Sequence, residues 1–406
     1  MNFEAFNFHP RVAAGVVEAG YENPTPIQAQ AIPHVLERRD LIGVAQTGTG
    51  KTAAFVLPIL NRLAGGKKGR PRALILAPTR ELAEQIHQAV ESLGRQTRLR
   101  SVTVYGGVAI NPQIQKLRHS DIVVACPGRL LDHIGRHSID LTALEMLVID
   151  EADEMLNMGF LPDVRRISEH LPVNRQTLLF SATLSPEIRR LAEDVLHAPA
   201  TVQVGTIAPA ETVSHALFPV VQHLKTELLL RLLGVTDIES VLIFTRTKHR
   251  AKSLGKKLVA AGYSATSLQG DLSQTLRQAA LDGFRKGTFQ ILVATDIAAR
   301  GIDVTRISHV INYDAPSSPE SYIHRIGRTG RATHTGEAFT FITAEDRDMV
   351  RAINRIIGSD IEKRRLSTFD YALPPANRQG RLKWLGKPGR QSSPEKKRAG
   401  TPGIYS

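Results

Sequence analysis

Short apolar, β-branched runs alternate along this chain with longer stretches of helical periodicity. That alternation limits the fold more than any other feature. The runs are Leu41 to Val44, Leu74 to Leu76, Ile122 to Val124, Leu147 to Ile149, Leu178 to Phe180, Val241 to Phe244, Ile291 to Val293 and Val310 to Tyr313. A strand that is apolar at successive positions must be covered on both faces, as in a parallel sheet packed between helices. Segments such as Arg80 to Leu93 and Lys225 to Leu233 supply the helical covers. The expected class is α/β, with mainly parallel sheets flanked by helices. The alternation breaks near residues 206–212, a small, Pro-containing stretch that reads as a linker. It separates a first domain, 1–205, from a second, 213–374. Residues 375–406, rich in Pro, Gly, Ser, Lys and Arg, read as a disordered basic tail.

The chain has 406 residues, enough for two or three domains. Lys and Arg number 52 against 39 Asp and Glu, a net charge of +13, which suits a polyanionic partner. The single cysteine, Cys126, excludes an intrachain disulfide and a cysteine-rich zinc site. Met1 to Pro10 has no basic segment followed by an apolar one, and no run approaches the ~20 apolar residues of a membrane helix. The expectation is a cytoplasmic protein with no membrane role.

Ala45-Gln46-Thr47-Gly48-Thr49-Gly50-Lys51-Thr52 follows the first apolar run and opens a helix. Glycines there let backbone N–H groups converge on phosphate oxygens, and the helix N-terminus adds positive potential. Lys51 would reach the β- and γ-phosphates and Thr52 would ligate Mg²⁺. The usual first glycine of such a loop is Ala45 here. Asp150-Glu151-Ala152-Asp153 ends the run Met146 to Ile149. A carboxylate at the C-terminal end of a parallel strand faces the ligand crevice. Asp150 fits the Mg²⁺ partner, and Glu151 fits the group that orients or deprotonates the attacking water.

Together these motifs resemble the DEAD-box ATP-dependent RNA helicases. Gly20 to Gln28, with Phe3 lying 17 residues before Gly20, looks like the family's Q motif. Pro78-Thr79-Arg80-Glu81-Leu82, Gly106-Gly107, Pro127-Gly128-Arg129 and Ser181-Ala182-Thr183 follow in family order. The second half adds Phe244 to Lys248, Gly270 to Gln274 with Arg277, Ala294 to Asp303, and Tyr322 to Arg331. The resemblance runs from Phe3 to about Asp370. The variants Gly106-Gly107-Val108 with Ile110 to Gln113, and Phe244 to His249, look most like the bacterial RhlE-like subgroup. Two positions depart from the pattern: Cys126, where Thr is usual, and Gln269, where His is common.

The resemblance implies two RecA-like domains and ATP as substrate. It gives Phe3, Tyr21 and Gln28 the adenine, Thr47 to Thr52 the phosphates, and Asp303 the ribose. Arg328 and Arg331 become arginine fingers, a class of residue that contributes roughly 10³–10⁵ in rate. Pro78, Thr79, Arg80, Gly106, Gly107, Pro127, Gly128 and Arg129 on the first half, with Arg246, Gln274, Arg277 and Thr295 on the second, would line an RNA track. Ser181, Thr183, Asp296, Arg300, His324 and Arg325 would couple the halves. The motifs carry no interleaved aromatics, so the expected contacts go to phosphate and sugar, independent of sequence.

The favoured activity is an RNA-dependent ATPase that unwinds short duplexes or remodels RNA–protein complexes. An ATP-dependent RNA clamp uses the same motifs, and a DNA-directed motor fits them less well. The implied partner classes are RNA, ribosome-assembly intermediates and RNA-decay machinery, and the expected state is monomeric. The charge is unevenly placed. Residues 1–205 carry 22 Lys and Arg against 21 Asp and Glu, 206–377 carry 22 against 17, and 378–406 carry 8 against 1. The tail therefore reads as a flexible RNA tether, with a solubilising extension as the alternative.

Overall fold

The computed structural model describes residues 2–46, 48–66, 68–205, 213–299, 307–330 and 335–373. The expected linker 206–212 and basic tail 375–406 lie outside the described residues, as do Thr47, Arg300, Asp303 and Arg331.

The described strands, in chain order, are β1 (Leu41–Ala45), β2 (Ala73–Leu76), β3 (Ser101–Val104), β4 (Ile122–Ala125), β5 (Met146–Ile149), β6 (Gln176–Ser181), β7 (Ala200–Val204), β8 (Val213–Pro219), β9 (Val241–Phe244), β10 (Ala265–Leu268), β11 (Ile291–Ala294), β12 (His309–Asn312) and β13 (Gly336–Ile342). They form two sheets, ordered β3-β4-β2-β5-β6-β1-β7 and β10-β11-β9-β12-β13-β8. Each pairing is parallel.

The alternation of side chains along each strand divides the first core into two layers. Ile75, Val124, Val148 and Phe180 pack on one face with Phe55 and Ile59 of helix Lys51–Leu63. Leu74, Leu76, Val123, Leu147, Ile149 and Leu179 pack on the other with Val164 and Ile188. The second sheet has its own layer around Leu242, Leu292, Val310 and Tyr322. The central strands β2, β4, β5, β9, β11 and β12 are buried at each position. Strands β3, β7 and β10 sit at sheet edges, are only partly buried, and lack the continuous apolar signature. In a parallel sheet the C-terminal ends of the strands share one edge, and connecting loops there form the ligand crevice. Ala45, Asp150 and Ser181 lie together on that edge, because β6 separates β1 from β5.

Candidate active site

The loop after β1 is shaped by two glycines in the left-handed region, Gly48 at φ 84° and Gly50 at φ 93°. A side chain at Gly50 would also collide, its Cβ falling 2.5 Å from the Gln28 Nε2. Thr49 Oγ1 donates to the Gln46 carbonyl at 2.8 Å and tightens the loop. Lys51 opens helix Lys51–Leu63, only 7% exposed, and its Nζ donates to the Ala45 carbonyl at 2.6 Å. The ammonium thus lies inside the loop whose N–H groups would hold phosphate.

Gln28 is bound at both ends of its amide. Its Oε1 accepts from the Thr25 N–H at 2.9 Å, and its Nε2 donates to the Gly50 carbonyl at 3.0 Å. It therefore links the start of helix Pro26–Leu36 to the phosphate loop. Phe3 is 6% exposed and meets Phe6 and Tyr21 edge-on, each at 5.8 Å between ring centroids. The open ring of this group is Tyr21, 38% exposed.

Asp150 follows β5 and is 2% exposed. Its Oδ1 accepts from the Glu151 N–H at 3.0 Å. Burial pushes its pKa up to about 7, against the pull of Lys51, and the neighbouring Glu151 charge adds to the rise. A buried carboxylate beside a phosphate loop, short of positive charge, is what a divalent cation would satisfy. The buried Asp150 carboxylate fits an Mg²⁺ ligand. Glu151 is held at φ 52°, ψ 54°, at the start of helix Ala152–Asn157. A non-glycine residue in this region costs about 1–3 kcal/mol, and such strain concentrates at functional sites.

The next acid reaches the second sheet. The Asp153 N–H donates to Ser181 Oγ at 3.2 Å, and Asp153 Oδ2 stands 3.6 Å from His324 Nε2. Ser181 is fully buried and its bond to Asp153 stays within the first half; Thr183 lies half-buried two residues on. Burial lowers the His324 pKa while Asp153 draws it back up. Arg328 stands close enough to His324 to lower its pKa as well, and lines one cavity with Glu154 and Arg325. Arg325 is 3% exposed and grips Asp296 with two bonds, 2.5 and 2.7 Å.

A second crevice, a groove of about 630 Å³, also draws on both sheets. Pro78, Thr79, Arg80, Gly106, Gly128 and Arg129 line it from the first half, and Gly270, Leu272 and Arg277 from the second. Thr79 caps helix Arg80–Leu93, its Oγ1 accepting from the Leu82 N–H at 3.3 Å. Arg80 lies over the Tyr105 ring, 5.8 Å from its centroid. Gly107, at φ 79°, leaves the space that the Arg80 guanidinium occupies, since a Cβ there would come within 2.2 Å. Arg129 donates to the Val108 carbonyl at 3.0 Å.

Other expected track residues are placed differently. Arg277 lines the groove with its guanidinium already engaged: its Nε donates to Glu81 across the cleft and its NH2 to the Ala298 carbonyl at 2.8 Å. Arg246 lies outside the groove lining, with a 65% exposed side chain. Pro127 is buried as the first residue of helix Pro127–Gly135, and Thr295 is half-buried. The Gln274 side chain is outside the described residues. Cys126 follows β4 and precedes the next helix without capping it through its side chain, and burial pushes its thiol up to about 12. Gln269 is 4% exposed. Sequence reasoning missed Met158 and Phe160, which line the groove just beyond helix Ala152–Asn157 and give it apolar surface. It also missed Glu81 as the partner of Arg277.

Two parallel α/β sheets, a phosphate loop and paired acids on one, and arginines presented from the other define a two-domain RecA-like ATPase. Residues 25–191 match the family model of the DEAD/DEAH box helicases, and 224–333 match the helicase conserved C-terminal domain. The ATP-dependent RNA helicase CshA of Limosilactobacillus reuteri is 44% identical over 358 residues, covering 88% of this chain and 72% of that protein. CshA of Bacillus subtilis (strain 168) is 43% identical over 377 residues, covering 92% and 76%. The solved structure of S. cerevisiae Dbp5 bound to RNA and ADP BeF3 superimposes with a TM-score of 0.82 at 33% identity, covering 90% of this chain and 95% of that one. Mss116p bound to ssRNA and AMP-PNP gives 0.81 at 28%, covering 90% and 79%. The chain belongs to the DEAD-box ATP-dependent RNA helicases. The relatives named here are CshA proteins, and the RhlE-like reading of Gly106 to Val108 finds no support among them. Short motif variants of a few residues carry less subgroup information than identity over the whole length. Among the described residues no helix is long and apolar enough to cross a membrane.

Proposed function

We propose that this chain hydrolyses ATP in response to RNA, and uses closure of its two sheets on one strand to separate short duplexes or remodel RNA–protein complexes. One observation carries the reading: both crevices are composite. Asp153 and His324 meet across the first, and Glu81 and Arg277 across the second. Ligands in either crevice would favour the same closed arrangement, so by linkage each must strengthen binding of the other.

In this reading Lys51 and the N–H groups of residues 47–52 hold the phosphates. Mg²⁺, when bound by Asp150 and Thr52, would neutralise charge on the transferring phosphoryl group. Glu151 orients or deprotonates the attacking water, and Arg328 with Arg331 stabilises charge from the second sheet. Tyr21 and Phe3 offer the aromatic shelf for adenine. Gln28 would report the base to the loop through Gly50, with Asp303 at the ribose. The groove takes phosphate and sugar through Thr79, Arg80, Arg129 and the close-approach glycines. Arg246, Gln274 and Thr295 extend the track, and Arg277 shapes it while tying the halves. A monomer acting in the cytoplasm, on ribosome-assembly intermediates or in RNA decay, completes the proposal.

The test is strand separation of a short RNA duplex in trans, with ATP and with GTP. ATP alone should support it. Equal turnover of both nucleotides would refute the adenine assignment, and nucleotide-dependent binding without strand separation would leave a clamp.

A further inference from the structure

Asp314 is a buried carboxylate that none of the motif roles above uses. It follows β12 and is 2% exposed. Each of its oxygens is engaged. Oδ2 accepts from the Arg246 backbone N–H at 2.9 Å, and Oδ1 accepts from Arg250 NH1 at 2.5 Å, with Lys225 Nζ 3.7 Å away. Lys225 is itself 2% exposed and donates to the Tyr313 carbonyl at 3.0 Å. The Asp314 main chain faces the other way. Its carbonyl accepts from Arg325 NH1 at 2.8 Å, and the same guanidinium nitrogen reaches Asn312 Oδ1 at 3.2 Å. Arg325 also covers the Phe244 ring, 5.0 Å from its centroid, and the Phe244 carbonyl accepts from the Tyr313 N–H at 3.0 Å.

The three residues 312–314 therefore hold two things at once. On one side is the turn that presents Arg246. On the other is Arg325, one turn of chain before Arg328. We propose that Asp314 is a positioning residue that couples the RNA-side turn at Arg246 to the ATP-side segment carrying Arg325 and Arg328. The inference rests on the function proposed above. The physical basis is the burial of the charge. A carboxylate out of water holds charged donors strongly, and its loss leaves Lys225 and Arg250 without their counter-charge. The Arg246 turn and the Arg325 contact then cease to move as one piece. The side chain fixes the Arg246 turn and the main-chain carbonyl of the same residue holds Arg325, so a shift of one turn is passed to the other through Asp314.

The experiment is a thermodynamic cycle on the full chain. Affinity for single-stranded RNA is measured with and without AMP-PNP, and affinity for AMP-PNP with and without RNA. The wild type should show one reciprocal strengthening factor. Asp314→Asn keeps the shape and removes the charge. It should reduce that factor at least fivefold in both directions and lower the melting temperature, because the buried Lys225 loses its counter-charge, while RNA-free AMP-PNP affinity of the folded protein stays near wild type. Arg250→Gln leaves Asp314 on the Arg246 N–H and should reduce the factor less. A folded Asp314→Asn protein with an unchanged factor overturns the proposal. If Asp314→Asn does not fold, Arg250→Gln decides: an unchanged factor overturns it and a reduced factor supports it. A wild-type protein with no strengthening would overturn the proposed function, and this inference with it.

Discussion

Glu81→Gln is the sharpest perturbation of the contact between the two sheets. Glu81 and Arg277 are 9% and 13% exposed as side chains, and they sit 196 residues apart in sequence. Arg277 keeps its bond to the Ala298 carbonyl when the Glu81 charge is removed, so the guanidinium is not wholly stranded. A hydrogen bond to a charged group contributes about 1.5–3 kcal/mol. Breaking a fully buried ion pair costs about 3–5 kcal/mol. Because Gln retains an acceptor, about 2 kcal/mol is the reasonable figure, or roughly 30-fold in an equilibrium constant. The contact joins the halves rather than building either one. The loss should therefore fall on closure, as weaker RNA binding in the presence of AMP-PNP, while RNA binding without nucleotide and the melting profile stay near wild type. Anisotropy titration of a labelled RNA measures both. Less than a threefold change with AMP-PNP, or an equal change with and without it, would show that the Glu81–Arg277 contact does not support closure. Glu81 also lines the groove, where its charge repels phosphate. Tighter RNA binding in both conditions would show that repulsion outweighs the pairing.

Glu151→Asn should abolish hydrolysis without lowering the melting temperature, because Asn tolerates the left-handed backbone at this position better than Glu. The expected gain is about 0.5–1 kcal/mol, and a clear loss in a melting experiment would contradict the strain assignment. With its pKa pushed up to about 12, Cys126 should be alkylated by iodoacetamide at pH 8 about a thousandfold more slowly than a free thiol. Rapid labelling of the native protein would place it in a different environment. Deleting residues 378–406 removes 8 cations and 1 anion. It should weaken RNA affinity and flatten its salt dependence while turnover at saturating RNA survives; a collapse of that turnover would make the tail part of the catalytic machinery.

What the sequence disclosed depended on where each element sits. Strands β2, β5, β9 and β12 are flanked on both sides within their sheets and covered on both faces, so their apolar runs are continuous and legible. The edge strand β3 spells Ser-Val-Thr-Val, with two of its four residues partly open to water, and it blends into the surrounding loop sequence. The same contrast holds in the site. Lys51, Asp150 and Glu151 are readable because a phosphate loop and a strand-end acid need particular residues at fixed local spacing. Glu81 with Arg277, and Asp314 with Lys225 and Arg250, are partners brought together by tertiary packing, and no local spacing announces them. Phe160 was missed for a related reason: a single aromatic becomes a groove residue only once the second sheet supplies Leu272 and Arg277 opposite it.

The central claim is that the active site is completed by closure that RNA favours. The most direct measurement is the steady-state ATP turnover of the full chain, with and without saturating single-stranded RNA, at fixed Mg²⁺. Turnover should be slow alone and strongly raised by RNA, with little effect from DNA of matched length. The same rate with and without RNA would contradict that claim.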